Sequence, residues 1–190
     1  YVFEDALVSQ LNHALKPLGQ KFDIIKQQGR IFVKPQEECD EDEVKDALSK
    51  VFGVVGFSPC YMTEDEGFDK LSEEIIDYMK RTYGDEPHTF KVDARRARKN
   101  YPLQSMEINA NVGEAILDSF PEMQVDVHNP KLWINVEIRD RIYLYSMEIK
   151  GACGMPVGTG GKGMLLLSGG IDSPVAGFLT LKRGIRLECI

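Results

Sequence analysis

The chain has 190 residues, 43% of them apolar and 28% charged, which suits a folded protein of one large domain or two small ones. Its longest strictly apolar run, Met164–Leu167, is far too short for a membrane helix, and Glu4 and Asp5 interrupt any apolar leader, so no membrane role is expected. The formal net charge of −7 speaks against nucleic acid only until it is divided: residues 1–90 carry 10 basic and 19 acidic side chains, residues 91–190 carry 13 and 11, so a basic surface is expected in the second half.

Cys39, Cys60, Cys153 and Cys189 are widely spaced with no C-x-x-C pair, a pattern that suggests neither a disulfide ladder nor a zinc site and fits reduced thiols. In chain order, Ala6, Leu7, Leu11, Ala14 and Leu15 recur at helical spacing until Pro17 and Gly19. Phe22–Lys26 and Arg30–Lys34 read as a hairpin turning at Gln28-Gly29. Asp40, with Glu43 three residues on, predicts the start of a second helix lined by Val44, Ala47, Leu48 and Val51 and closed by Gly53; residues 54–61 then read as one strand. The order α-β-β-α-β lacks one leading strand of the ferredoxin-like β-α-β-β-α-β unit, and that strand is expected ahead of Tyr1, which is not an initiating Met.

Thr63 and Glu66 predict a capping box for a helix with Phe68, Leu71, Ile75, Tyr78 and Met79 on one face, ending at Gly84. Residues 89–94 alternate as a strand, Ser105 is positioned to cap a helix lined by Ile108, Val112, Ile116 and Phe120, and three strands follow at 124–127, 132–138 and 141–148. Residues 151–163 contain six glycines and read as a flexible linker. Beyond it lie an apolar strand at 164–167, a loop at 168–173, a helix at 174–183 and a strand from Ile185.

The loop Ser168-Gly169-Gly170-Ile171-Asp172-Ser173 is the sharpest chemical signal. Between a strand and a helix, two glycines leave backbone N–H groups open to phosphate oxygens, Ser168 and Ser173 add hydroxyls, and the helix N-terminus favours an anion. Asp172 opposes phosphate by charge alone but fits a bridging Mg2+. No Walker A pattern occurs, and Gly158–Gly163, which spells G-x-G-x-x-G, precedes its strand and so lacks the dinucleotide context. The second signal is basic: Lys91, Arg95, Arg96, Arg98 and Lys99, with Tyr101 beside them, suit RNA phosphates and bases, although a solvated loop is an equal reading of the same residues. His128, in the turn Asp126-Val127-His128-Asn129-Pro130, is expected to hydrogen-bond locally.

The loop resembles the S-G-G-x-D-S PP-loop of ATP pyrophosphatases. Residues 63–150 are similar to a THUMP domain, on Thr89-Phe90-Lys91-Val92 with its arginine-rich continuation, on residues 125–130 and on Val136-Glu137-Ile138-Arg139. Residues 1–62 resemble the ferredoxin-like domain that precedes THUMP in the ThiI family, and Gly158–Gly163 leading into residues 166–176 resembles that family's linker and loop. The resemblance implies an α+β and α/β chain: a ferredoxin-like domain (1–62, first strand missing), a THUMP domain (63–150), a linker (151–163) and the first β-α-β of a PP-loop domain (164–190). It implies ATP and Mg2+, with Leu166, Leu167, Ser168, Gly169, Gly170, Ile171, Asp172 and Ser173 around the nucleotide and Asp172 as catalytic residue and indirect metal contact. It also implies tRNA as substrate, a cysteine desulfurase as persulfide donor, a sulfur-carrier protein of thiamine synthesis as a further partner, and a homodimer in the cytoplasm. The activity implied is replacement of a uridine C4 oxygen by sulfur. The sulfur-handling cysteine is expected beyond residue 190, so the 190 residues by themselves are expected to be inactive. Another PP-loop tRNA-modifying enzyme is disfavoured by the preceding THUMP unit; a tRNA-binding module with an inert loop is the reading from a different class.

Overall fold

In the computed structural model, residues 2–84 and 86–190 are described. They form two compact units: residues up to Phe57 together with Ile149–Ile190, and Ser58–Glu148.

The first unit opens with helix α1 (Val2–Leu15), which buries Leu11 and Leu15. A hairpin of β1 (Phe22–Gln27) and β2 (Arg30–Pro35) follows, paired from Phe22↔Pro35 to Gln27↔Arg30. Helix α2 (Glu41–Ser49) starts as expected at Asp40, whose carboxylate accepts from the amides of Asp42 (2.9 Å) and Glu43 (3.3 Å). Leu11, Leu15, Leu48 and Val51 make a small core, with Leu7, Phe22, Ile24, Ile31 and Val33 packed on it.

The single strand expected over 54–61 is instead two short ones with different partners. Strand β3 (Gly56–Phe57) belongs to the first unit, whereas β4 (Tyr61–Thr63) belongs to the second. Pro59 lies between them, and a proline cannot supply the N–H that a continuous ladder needs.

The second unit is a five-stranded sheet in the order β4-β8-β7-β5-β6, formed with β5 (Thr89–Arg96), β6 (Gln124–Val125), β7 (Leu132–Ile138) and β8 (Ile142–Tyr145). Strand β5 runs parallel to both neighbours, while β8 is antiparallel to β4 and β7. Helices α3 (Phe68–Tyr83) and α4 (Ser105–Ser119) share one core with the sheet: Leu71, Ile75 and Met79, then Ile108, Val112 and Ile116, meet Phe90, Val92, Ala94, Ile134, Val136 and Ile138. Two helix starts differ from expectation. Thr63 is in β4, and α3 begins after Gly67 with no side-chain cap; α4 is capped by Gln104, which forms the reciprocal box with Glu107, and Ser105 is its first residue. Glutamine is an uncommon cap, so the serine misleads.

The chain then returns to the first unit through β9 (Ile149–Lys150), which pairs antiparallel with β3. Strand β10 (Lys162–Leu165), helix α5 (Asp172–Lys182) and β11 (Arg186–Cys189) complete a parallel β-α-β, with Lys162↔Arg186 through Leu165↔Cys189 in register.

The glycine-rich segment is not the slack linker expected. The amide of Gly53 donates to the Cys153 carbonyl (2.9 Å), and the Cys153 amide to that of Val54 (2.8 Å). The Met155 amide donates to the Lys182 carbonyl (2.9 Å), and those of Gly158 and Gly160 to the Gly184 carbonyl (2.6 and 2.8 Å). The glycines are there for close approach: a Cβ at Gly151 would lie 2.3 Å from the Val54 oxygen, and one at Gly154 2.3 Å from the Lys182 oxygen. The segment thus splices residues 53–55 to the β-α-β, and the rings of Phe52 and Phe178 meet edge to face at 5.1 Å beside it.

Gly154→Ala is expected to destabilise the first unit by about 2–5 kcal/mol, from a left-handed backbone (φ +81) plus overpacking against main chain. Gly161→Ala, also left-handed (φ +94) but with nothing within 4 Å, should cost only about 1–2 kcal/mol. Urea denaturation of the two variants measures the difference.

Candidate functional site

Sequence reasoning singled out two groups of residues. They fall in different units, the phosphate-type loop in the first and the basic cluster in the second.

The loop leaves β10 through Leu166 and Leu167, which are 75% and 54% exposed, and the Leu167 amide is held by the Ile190 carbonyl at 2.8 Å. Its shape is fixed across the bend by two serines. The Ser168 amide donates to Ser173 Oγ (3.1 Å), the two hydroxyl oxygens are 3.1 Å apart, and Ser173 Oγ lies 3.3 Å from the Ser168 carbonyl oxygen. Helix α5 begins earlier than expected, with Ile171 at its N-cap and Asp172 as first residue, so Ser173 latches the loop rather than capping the helix. Pro174 still lies in the first turn, where a missing N–H costs nothing.

Within this bend, no protein acceptor among the described residues takes the amides of Gly169, Gly170, Ile171, Asp172 or Ser173. Residues 168–172 are exposed. A Cβ on Gly169 would meet nothing within 4 Å, and one on Gly170 only Ser168 Oγ at 3.7 Å. Packing therefore does not account for the glycines. What they leave clear is the outer side of a row of free N–H groups at a helix N-terminus, the arrangement that binds phosphate. The Asp172 carboxylate is exposed on the same turn. No group of three or more His, Cys, Asp or Glu among those residues is placed to hold a metal ion, so a cation here would take oxygen from Asp172 and from its ligand.

The basic cluster is dispersed by strand alternation. Lys91 and Arg95 stand on the sheet face turned away from α3 and α4, because Phe90, Val92 and Ala94 fill the other face. Lys91 Nζ sits 4.9 Å from the centre of the Trp133 ring and 3.5 Å from the Val127 carbonyl oxygen. Arg95 is exposed and pairs with Asp93 at 2.9 Å. Arg96, by contrast, is spent on the fold: its guanidinium donates to the carbonyls of Leu103 (3.0 Å) and Tyr101 (3.4 Å) and to Gln104 Oε1 (3.3 Å). It thereby ties residues 101–104 and the α4 cap to β5. Arg98 pairs with Asp65 and covers the Tyr101 ring at 5.5 Å, while Lys99 is exposed.

Tyr101 itself is 6% exposed and belongs to the core, so it is not available to stack on a base. The residue that sequence reasoning passed over is Trp133, which lies in the strand expected at 132–138 yet is 47% exposed next to Lys91. Its parity was the missed signal, since Ile134 and Val136 face the core and Trp133 alternates with them. In the 126–130 turn, Asp126 Oδ1 accepts the amides of His128 and Asn129, both at 2.9 Å, and these bonds hold its carboxyl below the usual range.

Two outcomes follow. Gly169→Ala and Gly170→Ala should leave stability within about 0.5 kcal/mol of wild type in urea or thermal melts, since neither Cβ meets the fold. Arg96→Ala should cost about 1–3 kcal/mol of stability through its orphaned acceptors. Arg95→Ala, at an exposed site, should leave stability unchanged in the same melts.

The chain is similar to known proteins along nearly its whole length. The ThiI ferredoxin-like domain family matches residues 1–58, the THUMP domain family residues 66–146, and the thiamine biosynthesis protein (ThiI) family residues 158–190. A relative in Agathobacter rectalis, named "Probable tRNA sulfurtransferase", is 55% identical over 97% of this chain and 47% of its own length. One of the same name in Lachnospira eligens is 53% identical over 99% and 48%. This chain thus spans about half the length of the curated relatives it matches. Among solved structures, PH1313 from Pyrococcus horikoshii superposes with a TM-score of 0.86 at 33% identity, covering 98% of this chain and 61% of that one. A 4-thiouridine synthetase solved with RNA and bound ATP superposes with a TM-score of 0.82 at 36% identity, over 98% of this chain and 47% of that one. With the three family matches in one order on one chain, the chain belongs to the ThiI family.

Proposed function

We propose that the protein is an ATP-dependent tRNA sulfurtransferase that replaces the C4 oxygen of a uridine with sulfur to give 4-thiouridine. The observation that carries this reading is the row of acceptor-free amides from Gly169 to Ser173 at the start of α5, in a chain whose other unit matches the THUMP domain family. The likeness to a 4-thiouridine synthetase solved with RNA and ATP supports both ligands.

In this reading the domains divide as 1–62 (ferredoxin-like), 63–150 (THUMP), 151–163 (connector) and 164–190 (start of the PP-loop domain), and the first two hold the tRNA. The amides of residues 169–173 receive the phosphates of ATP, Ser168 and Ser173 keep the bend open, and the exposed backbone at Leu166 and Leu167 flanks the adenine. Asp172 would hold Mg2+ indirectly beside the phosphates, and the ion when bound would offset phosphate charge. The uridine C4 oxygen attacks the α-phosphate and pyrophosphate leaves; the terminal sulfur of a persulfide then attacks C4 and expels AMP, and a second thiol breaks the S–S bond, leaving sulfur on C4 and a disulfide behind. A cysteine desulfurase is the persulfide donor. A sulfur-carrier protein of thiamine synthesis is a second acceptor, in line with the name of the matching family. In this reading the steps run in a cytoplasmic homodimer.

The test uses the protein at the full length of its relatives. With desulfurase, cysteine, Mg2+ and ATP, nucleoside mass spectrometry should detect 4-thiouridine in tRNA, and Asp172→Ala should lower turnover about a hundredfold or more. The 190-residue chain alone is expected to give none. A full-length protein that binds tRNA but leaves millimolar ATP with Mg2+ unbound is a binding module, and the enzyme reading is then lost.

A further inference from the structure

Trp133 is the one tryptophan in the chain, and it stands 47% exposed in the middle strand of a five-stranded sheet. Its flanking neighbours show how unusual the position is. Ile134 is fully buried on the other face, and Asn135 follows Trp133 on the open face, donating its amide to the Trp133 carbonyl at 3.0 Å. An indole offers a large apolar surface, and a soluble fold normally covers it or uses it. Lys91, its register partner on β5, lies over one face of the ring at 4.9 Å, so the solvent-facing area belongs to the other face and the edge. Arg95 stands on the same side of β5 four residues further on, about 13 Å along the strand. Asp93 lies between these cations and pairs with Arg95, leaving the positive charge of Lys91 beside the ring unopposed by a carboxylate among the described residues.

A flat aromatic surface bordered by cations on a sheet face is complementary to a single-stranded nucleic acid, whose bases stack while its phosphates meet the cations. Paired bases in an A-form duplex do not offer their faces, so the partner must present an unpaired nucleotide. An apolar peptide would satisfy the indole but not the adjoining positive charge. Resting on the tRNA reading above, we propose that Trp133 is a stacking platform for one unpaired nucleobase of the RNA substrate, with Lys91 and Arg95 holding the adjoining phosphates. Tyr101, the aromatic residue within the basic segment, is buried and takes no part.

Because the chain has a single tryptophan, its own emission reports the contact. A short single-stranded RNA carrying a dye is titrated into the 190-residue chain, with dye anisotropy reporting binding and tryptophan emission reporting stacking. Emission should fall in step with anisotropy, and a blunt RNA duplex should bind without quenching. Trp133→Ala should weaken binding by roughly 5- to 150-fold, the range for one base–aromatic stack, with the dependence on salt unchanged. Trp133→Phe should recover most of that loss. Lys91→Ala and Arg95→Ala should each lower the salt slope by about 0.7, and circular dichroism melts of all four variants separate lost contacts from lost fold. Binding without quenching, equal quenching by the duplex, or a folded Trp133→Ala within about twofold of wild type overturns the platform and leaves the tRNA reading standing. No RNA binding by the wild-type chain at any salt concentration overturns both.

Discussion

The backbone splice between residues 53–55 and 151–153 is the constraint on which the first unit depends. Three hydrogen bonds of 2.8–3.0 Å (Gly53 to Cys153, Cys153 to Val54, Gly151 to Val55) continue the two-residue pairing of β3 with β9. Each contributes on the order of 1 kcal/mol net, a modest total, but their placement decides the topology. They close the chain on itself at the point where residues 58–148 leave and return, so the THUMP-type unit is an insertion between two adjacent strands rather than a bead on a string. Cys153 adopts a left-handed backbone to make the turn (φ +58), the one positive φ at a non-glycine residue among those described. That strain is tolerable because the bonds on both sides of it fix the conformation. Further along the same segment, the Gly158 and Gly160 bonds to Gly184 anchor the turn before β11, and so set the register of the β-α-β that carries the phosphate-type loop.

This explains why the sequence is a better guide to some parts than to others. The hairpin, the five helices and the strand–loop–helix around Ser168–Ser173 are written in local patterns: periodicity, turn residues and a glycine pair at the mouth of a helix. The splice is not local. Six glycines in 13 residues are compatible with a flexible tether and with a segment pressed against another backbone, and only the identity of the neighbour separates the two. The split of residues 54–61 into β3 and β4 fails for the same cause, since the partners of those strands lie some 80–90 residues away, at β9 and β8. At the basic cluster the error is of another kind. Composition counted Arg95 and Arg96 alike, whereas a strand sends neighbours to opposite faces: one reaches solvent and the other the carbonyls of Leu103 and Tyr101.

The chain's charge is resolved in the same terms. A net −7 is acidic for a protein proposed to hold RNA. Some of the acid sits on helices in short pairs, such as Glu41 and Asp42 with Lys45 or Glu73 with Lys70, which salt screens and which contribute little to stability. The cations nearest the open sheet face, Lys91 and Arg95, are placed by strand parity. A phosphate within a few ångströms responds to those charges far more than to acidic residues beyond a Debye length of about 8–10 Å.

The free amides of the loop pose a related question of cost. Buried N–H groups without acceptors would each forfeit about 1–3 kcal/mol, but residues 168–172 are exposed and water satisfies them. The open conformation therefore asks little of the fold, provided that something holds it open. The hydroxyl latch between Ser168 and Ser173 does this: Ser173 Oγ takes the Ser168 amide and lies against the Ser168 carbonyl, which draws the two ends of the bend together and leaves the amides between them without protein acceptors among the described residues. In the proposed reading, a phosphate entering this bend would exchange water for charge-assisted bonds without first reorganising the backbone. The glycines then have one task, to keep Cβ atoms out of the path of the oxygens, and the serines another, to fix the curve. Neither residue type could do the other's work, which is the physical reason for finding both within six positions.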